Sequence, residues 1–152
     1  MTLSVFSKSL FVILVSFVCA ANGYASKINF EGITLSEEQI VFAANGTLYS
    51  TGYDGGEAQP ITTGQNYKSL PVFSPDGQKL AYTERDGRNA DVHVLDLAQR
   101  RTTRLTYHPG FDSAVSWQNN GKGLYLRTNR ENGRSFRIYN VSLVNPWPTA
   151  MP

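Results

Sequence analysis

Pro71-Val-Phe-Ser-Pro-Asp-Gly-Gln-Lys-Leu-Ala-Tyr82 returns, weakened, as Ala114-Val-Ser-Trp-Gln-Asn-Asn-Gly-Lys-Gly-Leu-Tyr125. Phe73 falls on Trp117, Gly77 on Gly121 and Leu80 on Leu124, each 44 residues apart. Each copy is an apolar run, a turn and a second apolar run. In the first, Pro75 presets φ, Asp76 bonds its own backbone and Gly77 accepts positive φ, the requirements of a tight turn. A repeat of ~40–45 residues built from four short strands is the pattern of β-propeller blades.

The same alternation of short apolar runs and turn clusters extends outward on both sides. Upstream, Ile28 to Ile33 is expected as an inner strand. Gln39 to Ala43 and Thr47 to Ser50 flank the hairpin signal Asn45-Gly46, and Gln59 to Thr62 follows a turn over Tyr53 to Gly56. The second blade is expected to place strands over Leu70–Ser74, Lys79–Glu84, Asp91–Leu97 and Thr103–Thr106. The third is expected over Ser113–Trp117, Lys122–Thr128, Phe136–Leu143 and Thr149–Met151, with Met151 in the place of Leu105. The fold class is therefore all-β: a partial β-propeller of about three four-stranded blades, spanning approximately 28–63, 70–107 and 113–152. Closed propellers have roughly four to eight blades. Three would leave an apolar face bare at each end, so the chain is expected to be part of something longer or to self-associate.

Ahead of the blades, Lys8 precedes the apolar run Leu10–Ala21, and small residues lead to Gly23-Tyr24-Ala25. A basic start, a short apolar core and a small-residue exit make a signal peptide, with cleavage expected after Ala25. That assigns 1–25 to the signal and 26–152 to the propeller, and makes the protein periplasmic or secreted. The apolar run falls short of the ~20 residues of a permanent span, so no stable membrane insertion is expected after cleavage. The only cysteine, Cys19, lies in the signal, which removes disulfides and thiol chemistry from the mature chain. Loss of Lys8 leaves 13 basic against 12 acidic residues, a balance that gives no electrostatic case for nucleic acid.

The residues able to carry chemistry are few. His93 is read as an exposed or half-packed strand residue on the face opposite Val92 and Val94, and His108 as part of an interblade turn. Their spacing lacks the close pairing of a zinc site, and no Gly-x-Ser-x-Gly elbow accompanies them. Asp76 and Asp112 are read as turn caps. Arg100, Arg101 and Arg104, with Arg127, Arg130, Arg134 and Arg137, form the one charge concentration. Such arginines suit docking of a peptide carboxylate if they reach a channel. Asn45-Gly-Thr47 and Asn140-Val-Ser142 match a glycosylation pattern but fall at ordinary strand and turn positions. No residue is assigned as catalytic, cofactor-binding or metal-ligating, and no cofactor is implied.

Phe73-Ser-Pro-Asp-Gly77 resembles the PD-type, WD-like repeat of TolB-type, prolyl-oligopeptidase-type and tricorn propellers. An ordered series resembles, more narrowly, the opening propeller of tricorn protease homologues. It runs Ile40-Val-Phe42, Gly46-Thr-Leu-Tyr49, Asp54-Gly-Gly-Glu-Ala58, Phe73–Gly77, Asp91-Val-His-Val94, Arg104–Gly110, Asn129-Arg-Glu131 and Pro146–Pro152. The resemblance implies the first half of a six-bladed propeller in an exported serine-type peptidase. The family's catalytic serine, histidine and oxyanion elements match nothing in this chain, so its implied role is a peptide gate, docking surface or protein-interaction scaffold without catalysis. The alternative is a stand-alone, periplasmic TolB-like binding module that self-associates or binds a protein partner.

Overall fold

The computed structural model describes residues 29–152. The expected signal peptide, its cleavage point, Cys19 and Ile28 lie outside the described residues. Within the described residues, twelve strands form three antiparallel four-stranded sheets in simple sequential order. Blade 1 is β1 (Phe30–Leu35), β2 (Ile40–Ala44), β3 (Thr47–Gly52) and β4 (Gly55–Pro60). Blade 2 is β5 (Tyr67–Phe73), β6 (Lys79–Asp86), β7 (Asn89–Asp96) and β8 (Arg101–Arg104). Blade 3 is β9 (Asp112–Trp117), β10 (Gly123–Thr128), β11 (Arg137–Ser142) and β12 (Thr149–Ala150). The described residues contain no helix. The inner strands β1, β5 and β9 lean on one another in that order, so blade 2 is the middle of an arc.

Period-two alternation explains why the central strands carry apolar residues on both faces. In β6, Leu80 and Tyr82 pack toward blade 1 with Val41, Ala43 and Leu48, while Ala81 turns toward blade 3. On that side Val92, Val94 and Leu105 meet Ala114, Trp117, Leu124 and Leu126. Burial on both faces leaves no polar side, hence the near-continuous apolar runs of the sequence. Hydrogen bonds stitch the same seams. Thr34 Oγ1 accepts from Phe73 N at 3.2 Å, Thr83 Oγ1 from Ala114 N at 3.1 Å, and Trp117 Nε1 donates to Val72 O at 3.0 Å.

The repeat holds atom by atom. Asp76 Oδ1 accepts Gln78 N at 3.0 Å, and its counterpart Asn120 Oδ1 accepts Lys122 N at 2.9 Å. Gly77 and Gly121 sit at φ 69 and 67, so the turn glycine is required in both copies. Each outer strand is closed alike. Ile61 N donates to Leu48 O and Leu105 N to Val92 O, and the following Thr62 and Thr106 hydroxyls accept Leu48 N and Val92 N. Met151 N donates to Ile138 O at 3.0 Å, so Met151 stands in the place of Leu105.

Some strand limits differ from the sequence expectation. β5 starts at Tyr67 because a bulge between Ser69 and Val72, with Leu70 at φ 52, carries the strand past Pro71. All three inner strands are bulged near that height. β4 begins at Gly55, two residues into the expected turn, since Gly52 pairs directly with Gly55. β8 ends at Arg104, and Leu105–Thr106 continue only as single closing bonds.

Candidate functional site

Strand polarity sorts the loops onto two ends. The upper end carries the β2–β3, β6–β7 and β10–β11 connections with the interblade links, and the lower end carries the remaining turns. Arginines and aromatic rings gather at the upper end of blades 2 and 3. Arg85, near the end of β6, lies over the Phe111 ring at 5.3 Å, and Arg127, near the end of β10, lies over Phe136 at 3.9 Å. Phe111 and Phe136 meet edge to face at 6.1 Å. A continuous strip, Arg85–Phe111–Phe136–Arg127, thus crosses the seam between the two blades. Quadrupole attraction fixes each guanidinium plane while its N–H edge stays available. Neither arginine pairs with a carboxylate among the described residues.

At the same end two buried aspartates are each paired with an arginine, Asp91 with the exposed Arg104 and Asp112 with the largely buried Arg130. Asp91 Oδ2 accepts Arg104 Nη2 and Asn89 Nδ2, both at 2.7 Å, while Thr106 Oγ1 donates to Oδ1 at 3.3 Å. Burial pushes the Asp91 carboxyl above its ordinary value, with Arg104 pulling the other way. Asp112 is 0% exposed, and its Oδ2 accepts Arg130 Nη2 at 2.9 Å. Arg130 is held by Thr128 Oγ1 at 3.2 Å and lies 5.2 Å from the Tyr139 ring. On the blade 1 side, Glu84 accepts Asn66 Nδ2 at 2.9 Å and lies 3.0 Å from His93 Nδ1. Burial raises that carboxyl, but the Asn66 bond and the His93 charge and bond outweigh it, leaving Glu84 below its ordinary value.

This geometry offers oriented cationic edges beside aromatic faces, on a base neutralised internally. It suits binding of an anionic, partly apolar ligand. Among the described residues, no group of three or more His, Cys, Asp or Glu side chains is placed to hold a metal ion. No described helix is long and apolar enough to cross a membrane.

Residues 30–152 match the family described as the tricorn protease N-terminal β-propeller domain. The chain belongs to that family. The tricorn-type propeller is also 34% identical to the Tol-Pal system protein TolB of Coxiella burnetii over 91 residues, 60% of this chain and 20% of that protein. Among solved structures it resembles TolB from Acinetobacter baumannii, with TM-score 0.71 and 21% identity over 81% of this chain and 32% of that one. It resembles the tricorn protease equally, with TM-score 0.71 and 18% identity over 80% of this chain and 13% of that one. The chain therefore spans about a fifth of the curated TolB relative and less of the protease.

In this tricorn-type propeller the residues singled out by sequence scatter. His93 is half-buried in β7, edge-on to Tyr82. His108 Nδ1 accepts Gly110 N at 2.8 Å within its interblade link. Asp76 caps its turn as expected, and the Ser74 hydroxyl and Gln78 amide hold its carboxyl below the ordinary value. Asp112 does not cap a turn, contrary to expectation. It opens β9 with its side chain turned inward, where Arg130 neutralises it. The arginine concentration is not one patch. Arg100 and Arg101 sit at the lower end, Arg104 and Arg130 are committed to buried aspartates, and Arg137 pairs with Glu131 at 3.4 Å. Sequence reading missed Arg85 and the phenylalanines. No local signal joined them, since Phe111 lies 26 positions from Arg85 and Phe136 nine from Arg127.

Proposed function

We infer that this propeller segment is a non-catalytic docking module of an exported tricorn-like serine peptidase, guiding peptides across its upper rim. The observation that carries this reading is the Arg85–Phe111–Phe136–Arg127 strip. Its guanidinium edges match a carboxylate and its rings match an apolar side chain, both of which the C-terminal residue of a peptide can present. Membership in the tricorn N-terminal propeller family supports that assignment. Export rests on the basic and apolar residues of 1–25, and predicts a mature protein beginning at Ser26 by mass spectrometry.

The test is fluorescence anisotropy with labelled hexapeptides ending in an aromatic residue, as free acids and as amides. Free acids are expected to bind at least ~10-fold more tightly, the worth of one charge-assisted hydrogen bond. Arg85→Ala with Arg127→Ala is expected to abolish the difference. Equal binding of acids and amides counts against the reading. A second reading, a stand-alone TolB-like module, is favoured by the equal structural likeness to TolB. Reading the gene beyond the Pro152 codon separates the two, because the peptidase reading requires further propeller and protease sequence.

A further inference from the structure

The lower end, opposite the arginine rim, carries a peg and a groove. The peg is the β11–β12 loop, Leu143-Val-Asn-Pro-Trp-Pro148. Val144 is 92% exposed and Trp147 78% exposed, higher than the other large apolar side chains at this end. Pro146 and Pro148 flank the indole and restrict its backbone, so little conformational entropy remains to be lost on docking. The corresponding β7–β8 loop of blade 2, Leu97 to Arg100, is shorter and polar at its tip. The peg is thus specific to blade 3.

The groove lies between blades 1 and 2, with a volume of about 870 Å³. Leu35, Phe73 and Leu97 supply apolar lining, and Glu37, Glu38 and Asp76 supply carboxylates. Tyr53, exposed in the β3–β4 turn, bonds Ser36 O and stiffens the outer wall. Volumes of this order hold a bulky aromatic group with its neighbours.

Charge is segregated along this end. Blade 1 presents Glu37, Glu38 and Asp54 in its lower turns with no basic residue, and blade 3 presents Lys122 with no acidic one. Blade 2 mixes Asp76 and Asp96 with Lys79, Arg100 and Arg101. An isologous contact about a two-fold axis through blade 2 sets blade 3 of one copy over blade 1 of the other, twice. Acidic and basic ends then face each other, and each peg meets a groove. We propose that the lower end is a self-association surface, on which Val144 and Trp147 of one copy seat in the groove beside Glu37 and Glu38 of a second. The occupant is a second copy of this chain because the complementary shape and the complementary charge both reside on the same end of it.

The test is sedimentation velocity with light scattering on the exported chain across a concentration series. A concentration-dependent dimer is expected. Val144→Ser with Trp147→Ser should weaken it at least ~30-fold, as loss of an anchoring tryptophan does. Glu37→Lys with Glu38→Lys should also weaken it, and adding Lys122→Glu should restore it in part. All these positions are exposed, and unchanged thermal unfolding verifies that each variant folds. A monomer at every concentration overturns the proposal. So does a dimer that ignores these changes and disperses with Phe30→Ser, which places contact on the blade face instead. Failure of Lys122→Glu to restore association overturns the two-fold arrangement. Peptide binding at the upper rim is unaffected by any of these outcomes.

Discussion

Asp112 and Arg130 show how a single residue's role is set by its surroundings. With Asp112 wholly out of solvent, deleting its carboxylate strands a largely buried guanidinium. Asp112→Ala is expected to cost about 3–5 kcal/mol, measured by urea unfolding, and Arg130→Met in the same chain should recover much of it. Protonation gives a second residue-scale prediction. Glu84 is held below its ordinary value in the folded chain. Its contribution is therefore full above the unfolded value of about 4.3 and is lost as pH falls through the lower folded value. Asp91 is raised, so its contribution has the opposite slope, largest at low pH and declining as pH rises through its folded value. Glu84→Gln should flatten the acid limb of a stability–pH curve, while Asp91→Asn should steepen it.

Blades 1 and 2 are each closed by one threonine, whereas blade 3 closes through the Met151 backbone amide. The Thr62 and Thr106 hydroxyls take the place of a further ladder bond, satisfying Leu48 N and Val92 N where the outer strand departs for the next blade. Valine at either site keeps the shape and leaves a backbone donor without its partner. Thr106→Val is expected to cost about 1–3 kcal/mol by denaturant unfolding, and Thr62→Val a similar or smaller amount because its bond is part-buried. The Phe73-Ser-Pro-Asp-Gly77 turn was fully legible in sequence, since proline, aspartate and glycine each fix one feature of it. The inner-strand bulges were not. A bulge depends on the neighbouring strand, and Leu70 at positive φ has no local sequence signal.

At the scale of the molecule, the outward face of blade 1 stays unmatched among the described residues. Phe30, 58% exposed, and Ile33, 64% exposed, flank an aromatic row in which Phe30, Phe42 and Tyr49 touch in sequence. In blade 2 the corresponding side is covered by blade 1, and Tyr82 there is buried to the point that its hydroxyl is pushed up to about 12. An apolar face of this kind promotes association unless another blade covers it. Phe30→Ser with Ile33→Ser is expected to raise the solubility limit of the exported chain several-fold without lowering its unfolding midpoint, as read by turbidity and circular dichroism. The free face of blade 3 is more polar, since Arg127 and Asn140 lie there beside Ile138.

The amino-acid sequence by itself determined the all-β class, the 44-residue blade period, the turn chemistry and the family. All four are written in local spacing, where side-chain alternation and turn requirements act over a few residues. Only the tertiary structure decided which charges are spent and which are free. Asp112 looked like a turn residue and became a buried ion-pair partner, and a run of arginines divided between two ends of the arc. Arg85 near the end of β6 and Phe111 in the link before β9 came together to begin the rim. These outcomes depend on which blade face each side chain meets, and the packing of the chain brings Asp112 to Arg130 and Arg85 to Phe111, 18 and 26 positions apart. Desolvation and pairing are properties of that meeting, and no local pattern encodes them.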